Sequence, residues 1–191
     1  MRDRLDRMEE TRWRIAQATI ELHATLGPAR TSISAIAERA GVQRHTVYYH
    51  FPDLVSLFRA CTEHGLRMIG PPDPEEWRAI PDPIERVQHG LGQLYPIYRQ
   101  NARLLGNVIR DMAQSPELIE GSQQFLELTE AYFQALADGW PADAPERASI
   151  DAALRHALDF GTWTSLTRQG MSDDDARDAM TSFVSVMAAG R

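Results

Sequence analysis

"SISAIAERAGVQRHTVYYHF", Ser32 to Phe51, decides how this 191-residue chain folds. Ser32 is an N-cap residue for a short helix over Ile33 to about Ala40. Gly41 can adopt a positive φ and turn the chain sharply. A second short helix is predicted from about Arg44 to His50. The apolar positions are Ile36, Ala37, Ala40, Val42 and Val47. Ala37 is small, so two helix axes can approach closely at a steep angle, and Val47 points back onto the first helix. The pattern predicts a helix-turn-helix. It leaves one face of the second helix exposed, with Gln43, Arg44, Thr46, Tyr48 and Tyr49 on it.

Outward from this stretch, almost everything is predicted as helix, and the fold class is all-α. Trp13, Ile15, Ala16, Ile20, Leu22, Ala24 and Leu26 place an amphipathic helix from about Glu9 to Leu26, stopped by Gly27-Pro28. Phe51-Pro52-Asp53 breaks the chain, and a fourth helix carries Leu54, Leu57, Phe58, Cys61 and Leu66 to about Ile69. Gly70-Pro-Pro-Asp-Pro marks a boundary between a first domain, 1–70, and a second, 71–191. The second is expected to hold helices at roughly 83–100, 102–114, 116–138, 146–169 and 173–188, with Pro96 kinking or breaking the first of them. Ser172 followed by three Asp caps the last helix.

Composition narrows the classes of function. A single Cys, Cys61, rules out an intrachain disulfide and fits a reducing cytoplasm, where the chain is expected to reside. No apolar run approaches the ~20 residues of a membrane span, so no membrane partner is expected. The charged N-terminus has no following apolar region, so no signal peptide is expected there. Net charge is −7, unevenly spread. Residues 1–70 hold 10 Arg against 8 acids, giving +2; residues 71–191 hold 10 Arg against 19, giving −9. Any anionic partner belongs to the first half. The chain has no Lys, and Arg has the planar fork that suits phosphates and guanine edges.

The exposed face of the second short helix suits DNA. Arg44 can donate two hydrogen bonds to a guanine edge, and Gln43 can pair with adenine. Thr46 and Tyr48 can reach phosphates or a thymine methyl, and His50 can donate to a phosphate. Free amides near Ser32 and Arg44 favour an anion. The same face also fits plain solvation, and the same motif could serve a protein partner, so a helical binding protein is the alternative reading. Residues 10 to 60 resemble the TetR family of transcriptional regulators, whose pattern is T-x-x-x-I-A-x-x-A-G-V-x-x-x-x-L/V-Y-x-H-F-x-x-K-x-x-L. Ser32, Ile36, Ala37, Ala40, Gly41, Val42, Val47, Tyr48, His50, Phe51 and Leu57 stand in register with it. The resemblance implies that Arg44, His45 and Thr46 face base edges. It implies that Tyr48, Tyr49 and His50 lie against the sugar-phosphate backbone or outer bases, and that Ser32 and Ser34 lie near phosphates. One position departs: Leu54 stands where the family usually has a Lys on phosphate, which would lower the salt slope by about one unit. An Arg-rich arm (Arg2, Arg4, Arg7, Arg12, Arg14), interleaved with acids, is expected to be solvated or to compensate.

The resemblance also implies a larger C-terminal domain for ligand binding and dimerisation. Helices 146–169 and 173–188 have broad apolar stripes with small residues, so two such pairs could form a four-helix interface. Two recognition helices spaced by about 34–36 Å would read a palindrome. Candidate pocket residues are His89, Tyr95, Tyr98, Met112, Phe125, Tyr132, Phe160 and Trp163, whose polar tips on apolar walls suit a small molecule. The acidic balance hints at a cationic ligand, though an acidic solvated surface explains it better. No enzyme is expected, because G-x-S-x-G, H-E-x-x-H, C-x-x-C and P-loop signatures are absent. No cofactor or metal is expected; His45 and His50 are five apart, off the helical metal-pair spacing. The expected function is a homodimeric, ligand-responsive DNA-binding regulator, a repressor released by a small molecule.

Overall fold

Caps and turn residues set the first helices. A computed structural model describes the backbone of residues 2–190 and the side chains of residues 6–190. Helix α1 spans Arg2–Thr25 and a 3-10 turn Pro28–Arg30 follows. Helix α2 spans Ile33–Ala40 and α3 Arg44–His50. Ser32 Oγ accepts from the Ala35 N–H at 3.2 Å and opens α2. Gly41, at φ 65°, closes it. Its N–H bonds the Glu38 carbonyl, and the Val42 N–H reaches back to Ala37 at 2.9 Å, which is the Schellman arrangement. Helix α4, Leu54–Ile69, begins with a capping box between Asp53 and Ser56 and ends at Gly70. Ile15, Ile36, Ala37, Val47, Phe51 and Leu57 bury together as the core of these four helices. All six are apolar, and their removal from water is what holds so short a motif closed.

Helices α5 to α12 span Pro74–Arg78, Pro83–Gln100, Ala102–Met112, Pro116–Gly121, Gln123–Ala137, Arg147–Leu158, Phe160–Arg168 and Asp173–Ala188. Among the described residues there is no strand. The chain forms two compact units. The first joins the chain up to Gly70 with Asn101–Leu126; the second joins Pro71–Gln100 with the chain from Glu127 onward. The chain therefore crosses between the units three times, not only at the Pro-rich break after residue 70. Helices α7 and α8 pack on α1 and α4 and so belong with the helix-turn-helix.

Three expectations about the helices need correction. Helix α6 runs unbroken through Pro96, because buried Leu94, Tyr95 and Tyr98 anchor the turns around it and outweigh one missing hydrogen bond. The expected 116–138 helix breaks at Ser122. Gly121 packs so closely on α4 that a Cβ would collide with Phe58, and the chain turns there. The expected 146–169 helix breaks at Asp159, whose backbone is extended. The free carbonyls of Ala157 and Leu158 at the end of α10 are taken by Tyr95 Oη (2.8 Å) and Tyr98 Oη (2.6 Å), and the Asp159 carboxylate caps α11 through the Thr162 N–H. Within the second unit, Trp77 stacks on Tyr132 at 4.7 Å, and buried Arg86 donates to the carbonyls of Ile80, Ala135 and Arg78.

Candidate nucleic-acid interface

The predicted DNA-facing side chains fall on one exposed surface of α2 and α3. Gln43, Arg44, His45, Tyr48 and Tyr49 are exposed, Tyr48 by 48% and Tyr49 by 67%; Thr46 is half-buried. Val47 and Phe51, on the opposite side of α3, are buried. Ser32 and Ser34 are exposed at the start of α2, with Ser32 Oγ already accepting the Ala35 N–H. α3 contains no acid among its seven residues, so the face carries Arg44 and two His with no carboxylate of its own. Leu54 is 45% exposed at the first residue of α4, an apolar patch beside this face.

His50 differs from its neighbours. It is half-buried, its ring meets Tyr49 edge-on at 5.3 Å, and burial together with the Arg12 guanidinium holds its pKa below the usual His value. It is therefore neutral near pH 7. Arg12 itself is not part of a loose arm. It lies in α1, donates to the His50 carbonyl at 3.0 Å, and sits 4.5 Å over the Phe51 ring, tying α1 to the end of α3. Arg7 and Arg14 are exposed on α1, while the side chains of Arg2 and Arg4 lie outside the described residues.

The eight pocket candidates do not come together. Tyr95, Tyr98, Phe160 and Trp163 form an aromatic cluster in the second unit, with ring centroids 5.4–6.0 Å apart. Their polar tips are occupied: the tyrosines by the end of α10, and Trp163 Nε1 by Asp173 at 2.9 Å. The Tyr132 hydroxyl donates to the Pro72 carbonyl, His89 is exposed, and Met112 is half-buried at the end of α7. Only Phe125 lines the apolar cavity, which lies in the first unit between α1, α4, α7 and the α8–α9 corner. Its wall includes His23, Phe58, Leu104, Val108 and Leu118. His23 was not singled out from sequence, although it lies at helical spacing from buried Ala16 and Thr19 on the core side of α1.

Beside this cavity, α7 holds the exit of α1. Asn107 donates to the carbonyls of His23 (2.9 Å) and Ala24 (3.1 Å). Buried Asp111 accepts from the Ala29 N–H at 2.9 Å, in the segment that leads to α2. Burial alone would raise the Asp111 carboxyl; hydrogen bonds from Arg110 and Ala29 outweigh it and hold it below the ordinary value. Among the described residues, no three His, Cys, Asp or Glu side chains gather as a metal site, and no helix is long and apolar enough to cross a membrane.

Relatives share the elements that build this face. The sequence model of the family described as "Bacterial regulatory proteins, tetR family" matches residues 15–61, which run from the core of α1 through the helix-turn-helix to Cys61 of α4. The HTH-type transcriptional regulator AcrR of Shigella flexneri is 35% identical over 104 residues, 53% of this chain and 48% of that protein. Over residues 15–61 the chain is similar to the TetR family. A second match is the HTH-type transcriptional regulator SrpR of Pseudomonas putida, 33% identical over 78 residues, 38% of this chain and 37% of that one. The matched region thus spans between about a third and a half of these curated relatives. The likeness of fold extends further: the crystal structure of NalD, the secondary repressor of the MexAB-OprM multidrug efflux pump in Pseudomonas aeruginosa, superposes with a TM-score of 0.68 at 20% identity, covering 95% of this chain and 97% of that one.

Proposed function

We propose that this chain is a TetR-family transcriptional regulator, a repressor that binds a palindromic operator as a homodimer and is released by a small molecule. The observation that carries the reading is the exposed, acid-free surface of α3, set on a buried Val47–Phe51 base. Arg44 and Gln43 there have the donors and acceptors that a major-groove edge requires. In this reading Arg44, His45 and Thr46 meet bases. Tyr48, Tyr49 and the Ser32–Ser34 end of α2 meet backbone, and neutral His50 serves as a polar neighbour of the phosphates.

The homodimer is supported by α12. One of its stripes, Ala176, Thr181 and Val184, is buried within the protomer. A second stripe, Met180, Phe183, Val186 and Met187, stays half-buried or exposed, with Val186 53% exposed. An apolar stripe left open at helical spacing is what a partner helix would cover.

A mobility-shift assay with the DNA flanking the chain's own coding sequence tests the function. A shift that weakens steeply with salt is the expected result. A folded dimer that shifts no DNA even at low salt would instead point to a protein partner for the helix-turn-helix.

A further inference from the structure

Gly65 lies in the interior of α4, where a glycine costs roughly 0.5–1 kcal/mol of helix stability relative to Ala. No crowding demands it. A Cβ there would meet only Ile20 Cδ1, at an ordinary 3.8 Å. What the missing side chain leaves is space in the wall of the cavity in the first unit. That cavity has a volume of about 80 Å³ and is half-enclosed. This is short of the ~150 Å³ that seats a whole benzene ring, so a single ring or short chain would enter with one end outside.

The wall is chemically one-sided. Leu104, Val108, Leu118 and Phe125 supply carbon surface, and no Asp, Glu or Arg lines the cavity. Its principal polar group is the ring of His23, which is 4% exposed and makes no hydrogen bond to any described residue. A buried imidazole without a protein partner has a donor and an acceptor to offer. A ligand charge carried into the cavity would meet no counter-charge in the wall itself and would lose its hydration without a paired return.

We propose that this cavity is a binding site for a small, uncharged, mainly apolar molecule carrying one hydrogen-bonding group for His23. Calling that molecule the effector rests on the regulator reading above; binding to the cavity does not. No carboxylate lines this wall; the one that acts on His23, Asp111, is already paired with Arg110 at 2.8 Å.

Titration calorimetry on the full chain at neutral pH, with toluene, benzyl alcohol, benzylammonium and benzoate, tests the site. The four probes share a ring and differ in charge and hydrogen bonding. The two neutral probes bind, and the two ions bind at least 100-fold more weakly. His23→Leu removes the preference for benzyl alcohol over toluene. Gly65→Leu, whose Cβ meets only Ile20 Cδ1 at 3.8 Å and whose side chain is put into the space, abolishes binding, and an undiminished melting temperature shows that it folds. Ions bound as tightly as the neutral probes, no binding by any probe, or binding that survives Gly65→Leu would each overturn the proposal. The DNA shift is measured separately. Neutral probes that bind a chain unable to shift DNA leave the cavity standing and remove the regulator reading; DNA bound by a chain that takes no probe does the reverse.

Discussion

His23 shows how one residue ties stability to the cavity. Burial holds its pKa at about 4, against 6.5 for the free side chain, with the Asp111 carboxylate pulling weakly the other way. As pH falls from 6.5 to 4, the unfolded chain takes up a proton that the folded chain refuses. Stability is therefore lost as pH falls through that window, by about 3 kcal/mol at 1.36 kcal/mol per unit. Asp111 is held below its ordinary value and titrates outside the window. His50 and His64 are also lowered, mainly by burial, and add to the slope in the same direction. Denaturant unfolding of the wild type and of His23→Leu at pH 7 and pH 4.5 checks this. The variant is expected to lose markedly less stability on acidification; equal losses would show that His23 is not buried as described. Cys61, on the same wall, has its thiol pushed up to about 12 by burial and stays protonated throughout.

At the scale of elements, α12 makes the sharpest prediction. Its open stripe places Val186 where a partner helix would lie, so Val186→Glu should turn a dimer into a monomer, by burying a carboxylate without a partner. Sedimentation equilibrium reads the outcome, and an unchanged dimer would move the interface elsewhere. Helices α2 and α3 were legible to the residue, because local chemistry sets their ends: the Ser32 cap before α2 and the left-handed Gly41 after it. The breaks at Ser122 and Asp159 were not, because neither is written in local propensity. One depends on Gly121 pressing against Phe58 and the other on tyrosine hydroxyls from α6, both distant in sequence. Pro74–Arg78 escaped notice for a related reason: a single turn capped by Asp73 looks like a Pro-rich linker until Trp77 is seen buried. The exposed face of α3 was legible as a pattern of polar residues around Val47. The cavity was not, since a space leaves only a glycine in a helix as its trace.

The first unit holds both the α2–α3 surface and the cavity, and α7 touches the cavity and the segment that leads to α2: Leu104 and Val108 lie in the wall, Asn107 and Asp111 on the stretch from His23 to Ala29. Occupation of the cavity and the setting of α2 therefore share one helix, which gives a ligand with different affinity for two settings a route to shift DNA binding. The central claim remains that α3 reads DNA. The most direct measurement is equilibrium binding of the wild type and Arg44→Ala to the flanking DNA and to a scrambled sequence, with circular dichroism to show that both are folded. Arg44 is exposed, so its loss leaves the core intact. The account predicts a loss of about 1–3 kcal/mol on the flanking DNA and a much smaller one on the scrambled sequence. Equal affinity of Arg44→Ala and wild type for the flanking DNA would contradict it.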